Sequence, residues 1–526
     1  MENEEISIQA TAEEVATRSS FEAHAYVFTA SFCLMVIELV AGRIMAPYLG
    51  SSLYTWTSVI GVVLTGITVG NYAGGVLAER GAAWKSVATI FVFAGFAGAM
   101  SYYTYSPVVS VVESLALPVQ LATLIFALIG FFPISLLLSM ITPIVITLSL
   151  TCLKKTGTTV GRIYAVSALA SIAGTFTAGF LLIPLIGVKT IVLSVSAILL
   201  LAGIFSSRGR STRDLCVKAG LVLLWLSFLT PQFCTTETAY YCINLDRTQS
   251  ERGSGYRLVL DRLTHSYIFQ DPTILEYDYE SVYGVTVEYL AHKLGDHPLR
   301  TLNIGGGGYT MPKFIANGYP DSQVDVVEID PAVTRFNEKY LGLNPVGDIR
   351  TYNLDARVFF AWGAGGNQYD LIFGDAFNDY SIPYHLTTLE FARLVREHLA
   401  PGGIYALNTI DDLGRGRLLA SFIKTIQEVF PYVEVSTAGK DWHENGRNTF
   451  IILASDEPID RVSWSESADY AYAQKIAAPQ ALSLAEVKEL LSAEAVADIA
   501  GRSGGVKLTD NYAPVDSMTA PLFREY

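Results

Sequence analysis

Basic residues are scarce in this chain, and charge of either sign is thin: 36 Lys+Arg and 50 Asp+Glu among 526 residues, 16% charged in all. The deficit is uneven. The first 230 residues hold 12 Lys+Arg and 10 Asp+Glu, a net of +2, so the remaining 296 hold 24 and 40, a net of −16. An acidic solvent-facing half argues against nucleic acid as a partner and suits a cationic substrate, although acidity also serves solubility alone. Cysteine is rare too, with five in all. Cys33, Cys152 and Cys216 fall in or near apolar runs and read as packing residues. Cys234 and Cys242 lie just past the last apolar run and would pair if that side of a membrane is oxidising. No metal site is expected.

What abounds is apolar. The chain is 51% hydrophobic, high for a soluble protein, and too long for one core. Seven runs approach the roughly 20 residues that cross a bilayer, at about 25–46, 54–78, 85–104, 118–150, 160–184, 188–205 and 215–231. The first is too long and too internal for a cleaved signal peptide. Pro133 and Pro143 in the fourth predict a kink or a re-entrant piece. Gly61, Gly66, Gly70 and Gly74, then Ala170, Gly174 and Ala178, recur at the spacing that lets transmembrane helices approach closely. Glu38 and Arg43 place charge in or beside the first run, as a pair or as the lining of a polar cavity.

These readings give a tail over 1–23 and a membrane domain over 24–231. The protein would then be a multi-pass protein of the cell (inner) membrane, in contact with the lipid bilayer. Nine Lys and Arg, including Arg80, Lys154, Lys155 and Arg208, lie in loops on one side, against Arg43 and Lys189 on the other. That bias puts the amino terminus in the cytoplasm. Seven spans would put the soluble part outside, whereas a domain using an adenosyl nucleotide is expected where the nucleotide is made. The two expectations conflict.

In the soluble part, 232–300 carries short alternating runs such as YRLVLD and HSYIF, a small β-structure. From 301 to 526 the apolar runs IGGGG, VVEID, RTYNLDA, LIFGDAF, GIYALNTI, VEVSTA and NTFIILAS alternate with helical segments, among them 331–340, 388–398 and 413–429. This is the pattern of an α/β doubly wound, mostly parallel sheet with its ligand crevice at the strand carboxyl ends. Gly305, Gly306, Gly307 and Gly308 follow the first strand, where a side-chain-free turn admits a ligand to the backbone. Glu328 closes the second strand about 20 residues on, where an acid accepts both ribose hydroxyl protons. Asp355 and Asp375 close the next two. Carboxylates at three successive strand ends are hard to ascribe to solubility.

The series IGGGG, VVEID, NLDAR and YDLIFGDAF resembles that of the spermidine synthases, the polyamine aminopropyltransferases. LVLDRLTHSYIF, HLTTLEF and LAPGGIYALN extend the resemblance over about 255–455. ELVAGRIMAPYLGSS and WTSVIGV resemble the bacterial membrane-fused members. The resemblance implies a Rossmann-like, class I methyltransferase-like sheet. It also implies a transferase moving an aminopropyl group from decarboxylated S-adenosylmethionine, a co-substrate, to an amine such as putrescine. Glu328 matches the ribose-binding glutamate, Asp355 with Ala356 the adenine-reading pair, and Asp375 the aspartate that takes the proton of the attacking amine. His265 matches a glutamine near the donor, and Tyr279 a tyrosine of the amine pocket. A homodimer is left open.

Two positions depart from the family. Gly308 stands where an aspartate binds the donor's ammonium, and Asn378 replaces a second aspartate, with Asp379 adjacent as a further amine-binding candidate. Without the first carboxylate, S-adenosylmethionine itself becomes an admissible donor, for methyl or aminocarboxypropyl transfer. A third reading, resting on Glu38 and the glycine-rich runs, is a non-catalytic transporter or sensor that binds a polyamine or nucleotide.

Overall fold

The computed structural model describes residues 20–207 apart from 51, parts of 104–116 and 151–155, then scattered positions up to 233. It describes 234–523 apart from 251–252, 262, 296, 345–347, 377–381, 415, 438–445, 477–483 and 503. The chain forms two compact units that part between 233 and 240.

The first unit is helical. α1 (Ser20–Leu49), α2 (Leu53–Glu79), α3 (Trp84–Tyr103), α4 (Val119–Ser149), α5 (Thr156–Thr177, continuing through a wider turn to Leu185) and α6 (Val188–Ser206) are long and apolar. By length and composition, these six among the described residues could each cross a membrane. The run at 215–231 lies almost wholly outside the described residues.

Small residues set the packing. A Cβ on Gly70 would stand 2.3 Å from the Leu136 carbonyl oxygen, and one on Gly74 2.5 Å from that of Met140. Thus α2 and α4 meet backbone to backbone. Gly174 meets α1 the same way, 2.6 Å from the Phe32 carbonyl oxygen, whereas Gly61 faces open space.

One expectation is corrected here. Pro133 and Pro143 do not make a re-entrant piece of the fourth run, for α4 runs through both as one helix. In an apolar surrounding, leaving the helix would strand more backbone groups than the two N–H bonds that proline forfeits. Arg43 gives its guanidinium to the Thr238 carbonyl oxygen at 2.9 Å.

The second unit opens with a meander, β1 (Cys242–Ser250), β2 (Gly253–Leu260) and β3 (Leu263–Phe269), paired antiparallel in chain order. A disulfide joins Cys234 to Cys242. The stretch to 300 is not all β, because α7 (Asp278–Leu294) follows. Its start is fixed by Glu280, which accepts the Tyr277 N–H at 3.1 Å.

A seven-stranded sheet comes next: β4 (Arg300–Ile304), β5 (Gln323–Val327), β6 (Ile349–Tyr352), β7 (Tyr369–Gly374), β8 (Leu399–Asp411), β9 (Tyr432–Thr437) and β10 (Asn448–Ser455). Their spatial order is β9-β10-β8-β7-β4-β5-β6, with β10 alone running against its neighbours. This is a doubly wound sheet. Every residue of β7 is buried, as a central parallel strand covered on both faces requires. The crossovers return each strand in the same sense, so the ends of β4, β5, β6 and β7 open on one edge.

Candidate functional site

The glycine loop leaves β4 and enters α8 (Thr310–Gly318). Gly305 is left-handed at φ +100°, and a Cβ there would lie 2.5 Å from the Asp375 carbonyl oxygen. Only glycine lets β4 and β7 end this close together. The Gly306 N–H donates to Glu328 Oε2 at 2.8 Å, and that of Gly308 to Ser266 Oγ at 2.9 Å.

Glu328, at the end of β5, is buried. Its other oxygen accepts the Asp330 N–H at 2.9 Å. Burial raises its pKa, and the backbone donors of Asp330, Gly306 and Gly307 pull the other way. With three backbone donors on its two oxygens, the carboxylate still has lone-pair capacity left for a ligand hydroxyl.

Asp355, after β6, caps a short turn: Oδ1 accepts the N–H of Arg357 at 2.8 Å and of Val358 at 3.3 Å. Oδ2 lies 2.8 Å from His385 Nε2. The His385 hydrogen bond is the main cause that holds the Asp355 carboxyl below the usual aspartate range. Ala356, its neighbour in the pair, is buried.

Asp375 follows β7. Asn408 Nδ2 on β8 donates to its Oδ1 at 2.9 Å. Burial raises the Asp375 pKa, opposed by hydrogen bonds from Asn408 and the Tyr279 hydroxyl and by the nearby charge of His265. Tyr279 sits on the first turn of α7 in a run of rings. It stacks on Tyr277 at 5.6 Å and meets Tyr283 edge-on at 5.5 Å, and Tyr283 in turn lies 4.6 Å from Phe373 on β7.

Gly305–Gly308, Glu328, Asp355, Ala356 and Asp375 thus share one sheet edge, and Tyr279 and His265 reach Asp375 from α7 and β3. Asn378 and Asp379 lie outside the described residues. Gly308 is unlike what its place in the motif suggests. A Cβ on it would meet the Ser266 Cβ at 2.6 Å and Ile268 Cδ1 at 2.8 Å, so that position faces β3 rather than an open pocket.

Several residues of the site escape a reading of the sequence. His385 sits in HLTTLEF, a stretch with no chemical pattern of its own. Asn408 carries a buried Oδ1 with no partner, beside the carboxylate it supports. Glu280 is buried at 2% exposure and its pKa is pushed up to about 8 by burial. Tyr240 lies within electrostatic range of Asp330, Asp355 and Glu328, which add to the effect of burial in raising its hydroxyl.

The arrangement fits a nucleoside with a cationic tail. Its parts are a backbone loop without side chains, a carboxylate for hydroxyl donors and a second one for an exocyclic amine. Beyond these come a carboxylate, an amide oxygen and phenol rings for an ammonium. Among the described residues, no three His, Cys, Asp or Glu gather as a metal-binding group.

No protein-family model matches the chain. A polyamine aminopropyltransferase of Vibrio vulnificus is 42% identical over 113 residues, 21% of this chain and 38% of that protein. A probable polyamine aminopropyl transferase of Bifidobacterium longum is 34% identical over 142 residues, 27% of this chain and 31% of that protein. The matches therefore span about a third of the length of these curated relatives. A solved structure, a probable spermidine synthase from Corynebacterium glutamicum, has a TM-score of 0.44 and 23% identity over 54% of this chain and 99% of that one. The relatives support the family resemblance carried by the motifs.

Proposed function

We propose that this protein is a membrane-anchored, spermidine synthase-like transferase. It would move the aminopropyl group of decarboxylated S-adenosylmethionine to an amine such as putrescine, with Asp375 as base. The observation that carries the reading is Asp375 itself: a carboxylate whose pKa is raised by burial, held by Asn408 and Tyr279, next to the glycine loop.

An alkylammonium is no nucleophile until it loses a proton. Asp375 takes that proton while Tyr279 and the Asn408 amide oxygen orient the nitrogen, and the raised pKa makes the carboxylate a better acceptor than an exposed aspartate. The sulfonium supplies the leaving group: the new C–N bond forms as the C–S bond breaks, and its electron pair stays on sulfur, which departs neutral. No acid is needed. Glu328 and Asp355 hold the nucleoside and fix the line of attack.

A donor that keeps its carboxylate is the second reading, favoured by Gly308, where no carboxylate stands to repel it. Calorimetric titration of the full-length protein with both donor forms, followed by incubation with putrescine and mass analysis, separates the two. Tight binding of the decarboxylated form and formation of spermidine are expected. Binding of the carboxylated form alone would overturn the aminopropyl reading. Glu328→Ala should weaken 5′-methylthioadenosine by about 1.5–3 kcal/mol, the worth of a charge-assisted hydrogen bond.

A further inference from the structure

A cavity of about 1110 Å3 lies between the meander and α8. None of Gly305–Gly308, Glu328, Asp355 or Asp375 lines it, so it is separate from the carboxylate site. Its size lies just above the roughly 300–1,000 Å3 usual for small-molecule pockets, enough to admit one. Apolar and aromatic walls come from Tyr256, Ile268 and Phe269 on one side and Leu341 and Leu343 on the other.

Lys313, on α8, gives the cavity its polarity. Its ammonium donates to the Gly308 carbonyl oxygen at 3.2 Å and the Leu341 carbonyl oxygen at 2.8 Å. Both acceptors are neutral, and they use two of the three N–H groups. Burial alone shifts its pKa, down to about 8, with no carboxylate acting against it, so it stays mostly charged at neutral pH. Arg247 on β1 lines the same space. The acids present answer neither cation: Asp271 Oδ1 accepts the Thr273 N–H at 2.9 Å and hydroxyl at 2.6 Å, and Asp348 is exposed. A desolvated cation with a donor to spare favours an anion.

We propose that this cavity is a second ligand site, for a small molecule with an aromatic or aliphatic body and one carboxylate or phosphate group. The oxyanion meets Lys313 and Arg247, and the body lies against Tyr256 and Phe269. The site stands independently of the reaction assigned to the carboxylate edge.

The test is calorimetry on the full-length protein in detergent with phenyl phosphate, phenylacetate and inorganic phosphate. One of the two phenyl probes should bind saturably, which tells phosphate from carboxylate, and inorganic phosphate should bind at least about tenfold more weakly, because it leaves the apolar walls unused. Lys313→Met should weaken the better probe on the order of tenfold, the loss of one charge-assisted hydrogen bond. Ala316→Trp fills the cavity from α8 and leaves both carbonyl contacts of Lys313 in place. It should abolish binding, and it carries the test if Lys313→Met fails to fold. Absence of binding by both phenyl probes at roughly 10 mM, where even weak pockets fill, overturns the proposal. So does binding indifferent to Ala316→Trp, or inorganic phosphate equalling the phenyl probes.

Discussion

His385 and Asp355 are 30 residues apart in sequence and meet at 2.8 Å, Nε2 against Oδ2. This contact holds the second carboxylate oxygen, the first, Oδ1, being held by the Arg357 and Val358 N–H groups. Arg357 continues the network to Asp510, which also accepts the Thr388 hydroxyl at 2.8 Å. A residue near the carboxyl terminus is thereby tied to the proposed adenine pocket.

The first prediction concerns acid. The Asp355 carboxyl is held below its ordinary value, chiefly by His385. A depressed carboxyl contributes stability that is present above its unfolded pKa and lost as pH falls through the folded one. Removing His385 raises the folded value, so the loss sets in at higher pH. His385→Ala should therefore bring forward the acid loss of both thermal stability and 5′-methylthioadenosine affinity. Melting curves and titrations across the acid range check this, and superimposable profiles would count against the pairing.

The second prediction concerns the base. Asp375→Asn keeps the shape and should keep nucleoside affinity, while turnover falls on the order of a hundredfold or more. The carboxylate form is the active one and its pKa is raised. In the wild type kcat/KM should thus fall with decreasing pH along a limb lying above the ordinary aspartate value. Tyr279→Phe removes a hydrogen bond that lowers this pKa, so the limb should move further up. Normal turnover by Asp375→Asn would refute the assignment.

The sheet was legible because its strands alternate with helices and end in chemically distinctive residues: glycines after β4, and carboxylates after β5, β6 and β7. α7 was not. Its residues from Glu280 to Leu290 are all buried, so no polar face marks a helical period, and its Val, Thr and Tyr content mimics a strand. The helix expected from 413 starts only at Leu418, because Asp411 Oδ2 takes the Leu419 N–H at 2.8 Å and fixes the entry there. His385 carried no signal of its own, since its partner lies on another strand end. Spacing also misled at Gly308: the family's aspartate position could be aligned, but which way a Cβ would point there depends on how β3 packs.

The third prediction follows from that packing. Restoring the family's carboxylate by Gly308→Asp should first destabilise the protein, because the new Cβ meets Ser266 and Ile268 below 3 Å. A loss of about 1–3 kcal/mol is the usual cost of such overpacking. Ser266→Gly should recover part of it in the double variant by removing the nearer atom. Donor preference is then tested in that double variant, where a shift towards the decarboxylated form is expected. A Gly308→Asp protein as stable as the wild type would mean that the loop does not lie against β3 as described.

The fourth prediction concerns the side on which the soluble unit works. Positive charge in the loops argues for a cytoplasmic amino terminus, and an even or odd number of spans then decides where the carboxyl terminus lies. Cys234 and Cys242 bear on the same question, because a disulfide between them persists where thiols are oxidised. Six spans would return the soluble unit to the cytoplasm, whereas a seventh within 215–231 would carry it out, in agreement with the disulfide. A carboxyl-terminal fusion to a reporter that folds only in the periplasm should therefore be active. In intact cells the two cysteines should resist maleimide until reduced. Their separation of eight residues closes a short loop, so Cys234→Ser should cost about 2–3 kcal/mol of stability by loop-closure entropy. An inactive fusion with both thiols freely labelled would place the domain inside. An active fusion would instead direct the search for its nucleoside donor and amine acceptor to the periplasmic side.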